Sequence, residues 1–260
     1  MTDAALHFAD LPTGRTAYLD FGTGTPVLFI HGAGLIGGWD FARDWGAEHR
    51  MICPYQAGWG PSDDPAPGAR VDDYVAQMIA LLDHLGLERC DVVGFSMGGW
   101  IASTLAARHP DRVGKLVLVA PAGYWSKDTP AADLFAIPGA EILSYLAADP
   151  ATLLPYFGEA PDPVAVATEI YRNDSAFAQL AWEKLGHERH LDLVARITAP
   201  TLLIWGEKDA IIPFSQAPLW QSALGGAALC ALPETGHYPF LETETAAQAL
   251  LAFLKSDPQP

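Results

Sequence analysis

Val92-Val93-Gly94-Phe95-Ser96-Met97-Gly98-Gly99 places a G-x-S-x-G pentapeptide between an apolar strand and an apolar helix. The spacing has a physical reason. A serine at a sharp strand-to-helix turn presents its Oγ above the sheet, and the amide that follows it points at a reacting carbonyl. Glycines two before and two after let strand and helix approach closely. Without its flanks the pentapeptide reads as a Gly-rich turn with an incidental serine. With Cys90–Val93 before it and Met97–Arg108 after it, Ser96 reads as a nucleophile.

Outward from this elbow, short apolar runs recur. Val27–Ile30, Cys90–Val93, Leu116–Val119 and Leu202–Trp205 are near-continuous. Strands buried on both faces have this signature, which predicts a parallel sheet covered by helices. Ala227–Leu232 is a weaker strand. Leu6–Phe8 and Thr16–Leu19 read as a leading antiparallel pair. Tyr74, Val75, Met78, Ile79, Leu82 and Leu85 form one helical stripe, with Asp72 and Asp73 in its first turn and Gly86 as its stop. Thr243–Lys255 is a last helix. Strand–helix alternation predicts an α/β doubly wound fold. About 80 residues separate the strands ending at Val119 and starting at Thr201, far more than a crossover needs. Helical pieces are read there at Ala140–Ala148 and Val164–Tyr171. The stretch is expected to lie over the sheet's C-terminal edge, where such sheets bind ligands.

A nucleophilic serine needs a base, and the base an orienting acid. His237 alone of eight histidines sits between a late strand and the final helix. Asp209 follows the strand Leu202–Trp205, and Glu207 is the rival acid, expected to face solvent. His31-Gly32-Ala33-Gly34 follows Val27–Ile30, and its amides can approach a ligand. The N–H groups of Ala33 and Met97 are read as an oxyanion hole. His31 itself is read as shaping that loop. His187 and His190 sit three apart, but without further spaced ligands a metal site is not expected.

Composition sets the classes that remain. The chain has 260 residues, half of them apolar, and a formal net charge of −16. Such an acid excess repels phosphate backbones and anionic membranes, so neither nucleic acid nor a membrane is an expected partner. A small molecule is expected, acted on by a monomer or homodimer without cofactor. The start MTDAALHFAD has neither the basic nor the apolar region of a signal peptide, and the odd, scattered Cys53, Cys90 and Cys230 suit free thiols. A cytoplasmic location is expected.

Taken together, HGAG at 31–34, GWGPSD at 58–63, GFSMGG at 94–99, WGEKD at 205–209 and GHYPFLE at 236–242 resemble the α/β-hydrolase fold superfamily, over essentially Leu6 to Leu254. The resemblance implies an eight-stranded, mostly parallel sheet with a helical cap inserted after strand six. The expected division is a core of 1–121 and 198–260 and a cap of 122–197. It also implies Ser96 as nucleophile, His237 as base and Asp209 as orienter. Many relatives carry an aspartate where Tyr55 stands. Relatives that cleave carbon–carbon bonds often have Asn before the nucleophile and Trp after the base, where this chain has Phe95 and Tyr238. A serine esterase for neutral, moderately apolar esters or lactones is therefore expected. A carbon–carbon hydrolase or enol-lactonase stands as the alternative, and a ligand receptor on a hydrolase fold as a remoter one. Trp39, Phe95, Trp100, Trp125 and Tyr238 are read as lining the substrate. The 122–197 segment holds five Lys and Arg against eleven Asp and Glu, which argues against an anionic acid product.

Overall fold

The structure is a computed structural model and describes residues 5–34, 40–156 and 162–256. In chain order the elements are β1 (Leu6–Leu11), β2 (Gly14–Phe21), β3 (Thr25–Ile30), β4 (His49–Pro54), α1 (Val71–His84), β5 (Cys90–Phe95), α2 (Met97–Arg108) and β6 (Val113–Val119). There follow β7 (Gly123–Tyr124), α3 (Ile142–Leu146), α4 (Pro163–Ala181), β8 (Gly186–His187) and α5 (His190–Val194). The chain closes with β9 (Thr201–Gly206), α6 (Ala217–Ala223), β10 (Ala228–Leu232), α7 (Pro239–Glu242) and α8 (Glu244–Lys255).

Eight strands form one sheet in the order β1-β2-β4-β3-β5-β6-β9-β10. The pairs β1–β2 and β2–β4 are antiparallel, and every pair from β4 to β10 is parallel. This is the α/β-hydrolase architecture the motifs resemble. After β3 the chain steps to one side to form β4, then returns to the other side of β3 to form β5. The C-terminal ends of β3 and β5 therefore flank a topological switch point, where the following loops diverge and leave a crevice.

Alternation within the strands builds two cores. Leu28 and Ile30 of β3, with Val92, Leu116, Leu118, Leu203 and Trp205, face α1, α2 and α6. Val27 and Phe29, with Val93, Val117, Val119 and Ile204, face α8 and the turn around Trp45. Both faces are dry, as near-continuous apolar strands require. Strand β4 was not among the runs read from the sequence. Its charged start and terminal proline leave only Met51-Ile52-Cys53 as an apolar run, yet it pairs on both sides, with β2 and β3.

Between β6 and β9 the chain leaves the sheet. β7 and β8 pair in parallel and bring the two ends of the excursion together. Its helices differ from the periodic reading. The first spans Ile142–Leu146 rather than Ala140–Ala148. The second runs from Pro163 to Ala181, well beyond Tyr171. The polar run Arg172–Ser175 did not stop it, because Arg172 reaches the loop below, donating to Gly60 O (2.9 Å), Ser62 O (3.0 Å) and Asp64 Oδ1 (2.6 Å). Asp162 begins the helix, its Oδ1 accepting from the Val164 and Ala165 amides.

Candidate active site

Ser96 follows the last residue of β5 and precedes the first of α2, at φ 55° and ψ −118°. That backbone region is unfavourable for a residue with a side chain and costs roughly 1–3 kcal/mol, held only when its surroundings over-determine it. Here they do. Ser96 N donates to Val119 O (2.9 Å), and Ser96 O accepts from Gly99 N (2.8 Å) and Ala122 N (2.9 Å). The flanking glycines are required by contact. A Cβ on Gly94 would lie 2.5 Å from Gly98 O, and one on Gly98 would lie 2.0 Å from Ile30 O. Strand, helix and neighbouring strand thus meet closer than any side chain permits.

The histidine and aspartate arrive from the far end of the chain. Asp209 stands in the turn after β9, fully buried as a side chain. Its Oδ1 accepts from the Ile211 and Ile212 amides, both at 2.9 Å, which leaves Oδ2 to His237 Nδ1 at 2.8 Å. His237 Nε2 lies 2.9 Å from Ser96 Oγ. Because a carboxylate only accepts, Nδ1 carries the proton, and the Nε2 lone pair faces the serine hydroxyl. An imidazole so held can take the Oγ proton while its charge develops against Asp209. Glu207, the rival acid, is exposed, as its earlier place in the turn implied.

The loop after β3 lies directly over the serine. A Cβ on Gly32 would be 3.1 Å from Ser96 Cβ. His31 is buried and shapes this loop, with Nδ1 2.6 Å from Gly32 O and Nε2 accepting from Gln56 N at 3.2 Å. Burial pushes its pKa down to about 4, so it is a neutral local ligand of the backbone. The Met97 N–H is the first of α2 and has no acceptor within its own helix. Helix N-termini carry partial positive charge, which favours an anion there.

A comparison with protein families matches residues 25–147 to the α/beta hydrolase fold family. The chain is 30% identical to a 2-hydroxymuconate semialdehyde hydrolase from Pseudomonas sp. (strain CF600), over 88% of this chain and 86% of that one. The chain belongs to the α/β-hydrolase family. It is also 31% identical to the dihydrolipoyllysine-residue acetyltransferase component of an acetoin cleaving system from Pseudomonas putida, over 89% of this chain, and spans 64% of that protein's length. Among solved structures, a membrane phospholipase A described as a bacterial virulence factor superposes with a TM-score of 0.78 at 26% identity, covering 96% of this chain and 86% of that one.

Within this α/β-hydrolase fold the residues read as lining the substrate separate into two groups. Phe95 and Tyr238 stand at the serine. The Phe95 ring lies 5.1 Å from His237 and 4.9 Å from Tyr238, centre to centre. Trp100 and Trp125 are seen against other neighbours. Trp100 follows Ser96 by one helical turn and packs against Gly123 and His190, lining a cleft of about 880 Å³ between α1, α2 and the excursion. Trp125 lies under the Lys184 ammonium and, with Phe135, lines a separate cavity of about 90 Å³. Trp39 lies outside the described residues.

Several residues that hold the site were not read from the sequence. Glu242 Oε2 accepts from Ala148 N (2.8 Å) and Gly236 N (2.9 Å), and its Oε1 from Tyr238 N (3.2 Å). One carboxylate thus grips both neighbours of His237 and the end of the α3 segment. His237 N itself donates to Leu146 O at 2.9 Å. Gln56 and Trp59 hold the loop after β3, through Gln56 Nε2 to His31 O and Trp59 Nε1 to Ala33 O, both at 2.8 Å. The signal for Glu242 was available: an acid in the first turn of a helix, five residues past the histidine. Among the described residues no group of three or more His, Cys, Asp and Glu stands together as a metal cluster, and His190 Nε2 is instead 3.0 Å from Ser103 Oγ. Burial pushes the Cys53 and Cys90 thiols up, so neither is a nucleophile at neutral pH. No described helix is long and apolar enough to cross a membrane.

Proposed function

We propose that the protein is a serine hydrolase that cleaves a neutral, moderately apolar carboxylic ester or lactone through an acyl-enzyme. The observation that carries this reading is the unbroken chain from Ser96 Oγ to His237 Nε2 (2.9 Å) and from His237 Nδ1 to Asp209 Oδ2 (2.8 Å). His237 takes the proton as Oγ attacks the carbonyl. The developing oxyanion is received by the amides of Met97 and Ala33. His237 then returns the proton to the leaving alcohol, and water reverses the sequence to release the acid. The 122–197 segment acts as a cap over this edge, its backbone joined to the histidine loop through Leu146 O.

A neutral substrate is supported by what surrounds the serine. Phe95 and Tyr238 are uncharged, and the segment over the site is acidic. The likeness to a phospholipase A agrees with ester cleavage. The likeness to a 2-hydroxymuconate semialdehyde hydrolase favours a second reading, hydrolysis of a ring-cleavage product at a carbon–carbon bond. A screen of short p-nitrophenyl esters, lactones and vinylogous diketones separates the two. Ester turnover with a burst of p-nitrophenol that disappears in Ser96→Ala supports the first. Ester hydrolysis that survives Ser96→Ala overturns it.

A further inference from the structure

Four successive carbonyls of the loop after β3 are each bound by a side chain. His31 O accepts from Gln56 Nε2 and Gly32 O from His31 Nδ1. Ala33 O accepts from Trp59 Nε1, and Gly34 O from the Tyr238 hydroxyl. Residues 31–34 offer little else to hold, one imidazole and one methyl group. Because a peptide is planar and trans, binding the Gly32 carbonyl also sets the direction of the Ala33 N–H. Three of the four donors come from the loop itself and from the segment after β4. The fourth comes from the residue next to His237.

We propose that Tyr238 is a positioning residue that locks the oxyanion loop to the loop carrying the base. The inference rests on the serine-hydrolase reading. Tyr238 is well placed for such a role. Its ring is held edge-on by Phe95, its amide is held by Glu242, and 8% of its surface is exposed. Gly34 supplies an independent handle on the same contact. Among the described residues, a Cβ built there meets a single atom within 4 Å, the Tyr238 hydroxyl at 3.0 Å.

The test is a double-mutant cycle on the full chain, with p-nitrophenyl acetate as substrate and phenylboronic acid as the probe of the tetrahedral state. Tyr238→Phe is expected to lower kcat about 10-fold with KM changed less than about 2-fold, and to weaken phenylboronic acid by a similar factor. The pH midpoint of kcat/KM stays in place, since the base is untouched. Gly34→Ala in the wild-type background, by displacing the hydroxyl, lowers kcat several-fold, and adding it to Tyr238→Phe costs little more. Three results overturn the proposal. They are wild-type kcat and boronate affinity in Tyr238→Phe, a change confined to KM, or an equal cost of Gly34→Ala in both backgrounds. Should Tyr238→Phe not fold, Gly34→Ala alone decides, and wild-type kcat and boronate affinity in that variant overturn the coupling. Failure of the underlying reading looks different, because Ser96→Ala would then keep both hydrolysis and boronate binding.

Discussion

The two ends of the sheet each bury an aspartate and a histidine, but only one of the two pairs is bonded. At the C-terminal end Asp209 and His237 meet at 2.8 Å, with a serine on the far nitrogen. At the N-terminal end Asp91 accepts from the Lys115 amide at 2.7 Å, while His49 is buried with neither ring nitrogen bonded. Residue type does not distinguish the pairs, but the direction of the backbone does. At the C-terminal end strands give way to loops and helix N-termini, which expose N–H groups and favour negative charge. At the opposite end helix C-termini expose carbonyls, and a cation sits there. A transition state that develops an oxyanion can be served at one end only.

The sharpest break in this comparison is Ser96→Ala. Removing the nucleophile from such a set costs up to about 10⁶ in kcat in a serine protease, and a loss of at least ~10⁴ in ester turnover is expected here. The measurement is single-turnover release of p-nitrophenol, and survival of the burst would remove the site from the argument. The next step compares the aspartates directly. Asp209→Asn is expected to lower kcat by about 10⁴, by allowing the wrong histidine tautomer. Asp91→Asn is expected to leave kcat unchanged. Burial raises the Asp91 pKa, so its charged form disfavours the fold once pH exceeds the unfolded carboxylate value. An amide there keeps the acceptor for Lys115 N and raises the urea midpoint at pH 8. A rate loss in Asp91→Asn would show that the two ends are coupled.

Much of this contrast was readable in advance. The apolar runs gave seven of the eight strands, and Ser96, Asp209 and His237 each follow one of them, so one sheet edge had to gather all three. What sequence alone could not supply were contacts whose partners are backbone groups far along the chain. Glu242 binds Ala148 N across 94 positions, and nothing local marks that pairing. Trp100 makes a related point. Proximity in sequence to Ser96 suggests proximity in space, but helix α2 is buried around most of its circumference, and its fourth residue turns the indole towards Gly123. Helix α4 runs past the Val164–Tyr171 read from the sequence, and Arg172 beyond that point is bonded to the loop beneath, a contact across more than a hundred positions.

Two buried histidines, His31 and His190, are expected to make the fold sensitive to acid. Burial holds His31 and His190 at a pKa of about 4, against an ordinary value of 6.5. Between those values the unfolded chain binds more protons than the folded one, so stability is full above about pH 6.5 and is lost as pH falls towards 4. Each group accounts for roughly 1 kcal/mol by pH 5.5. Urea unfolding at pH 8 and pH 5.5 should therefore differ by about 2 kcal/mol from these two residues, in the acid-labile direction. His190→Gln should shrink that difference by about 1 kcal/mol. A pH dependence unchanged by His190→Gln would mean that the cleft around Trp100 and Trp220 admits enough water to solvate the imidazolium.

The smallest effect tests the electrostatic half of the comparison. Lys115 Nζ donates to Leu254 O at 2.6 Å and to Phe253 O at 3.2 Å, and also reaches Ser256 O. These carbonyls lie in the last turn of α8 and just past it, where the partial charge of a helix is negative. Lys115→Met keeps the aliphatic stem against the sheet and removes the ammonium. The expected loss is about 1–2 kcal/mol of unfolding free energy, greater at low ionic strength, with kcat and KM unchanged. The salt dependence is the informative part. A loss that vanishes in high salt assigns the contribution to the helix end as a charge, whereas one that persists assigns it to the hydrogen bonds. An effect on kcat would contradict the separation of the two ends, since Lys115 lies on β6 at the opposite end of the sheet from Ser96.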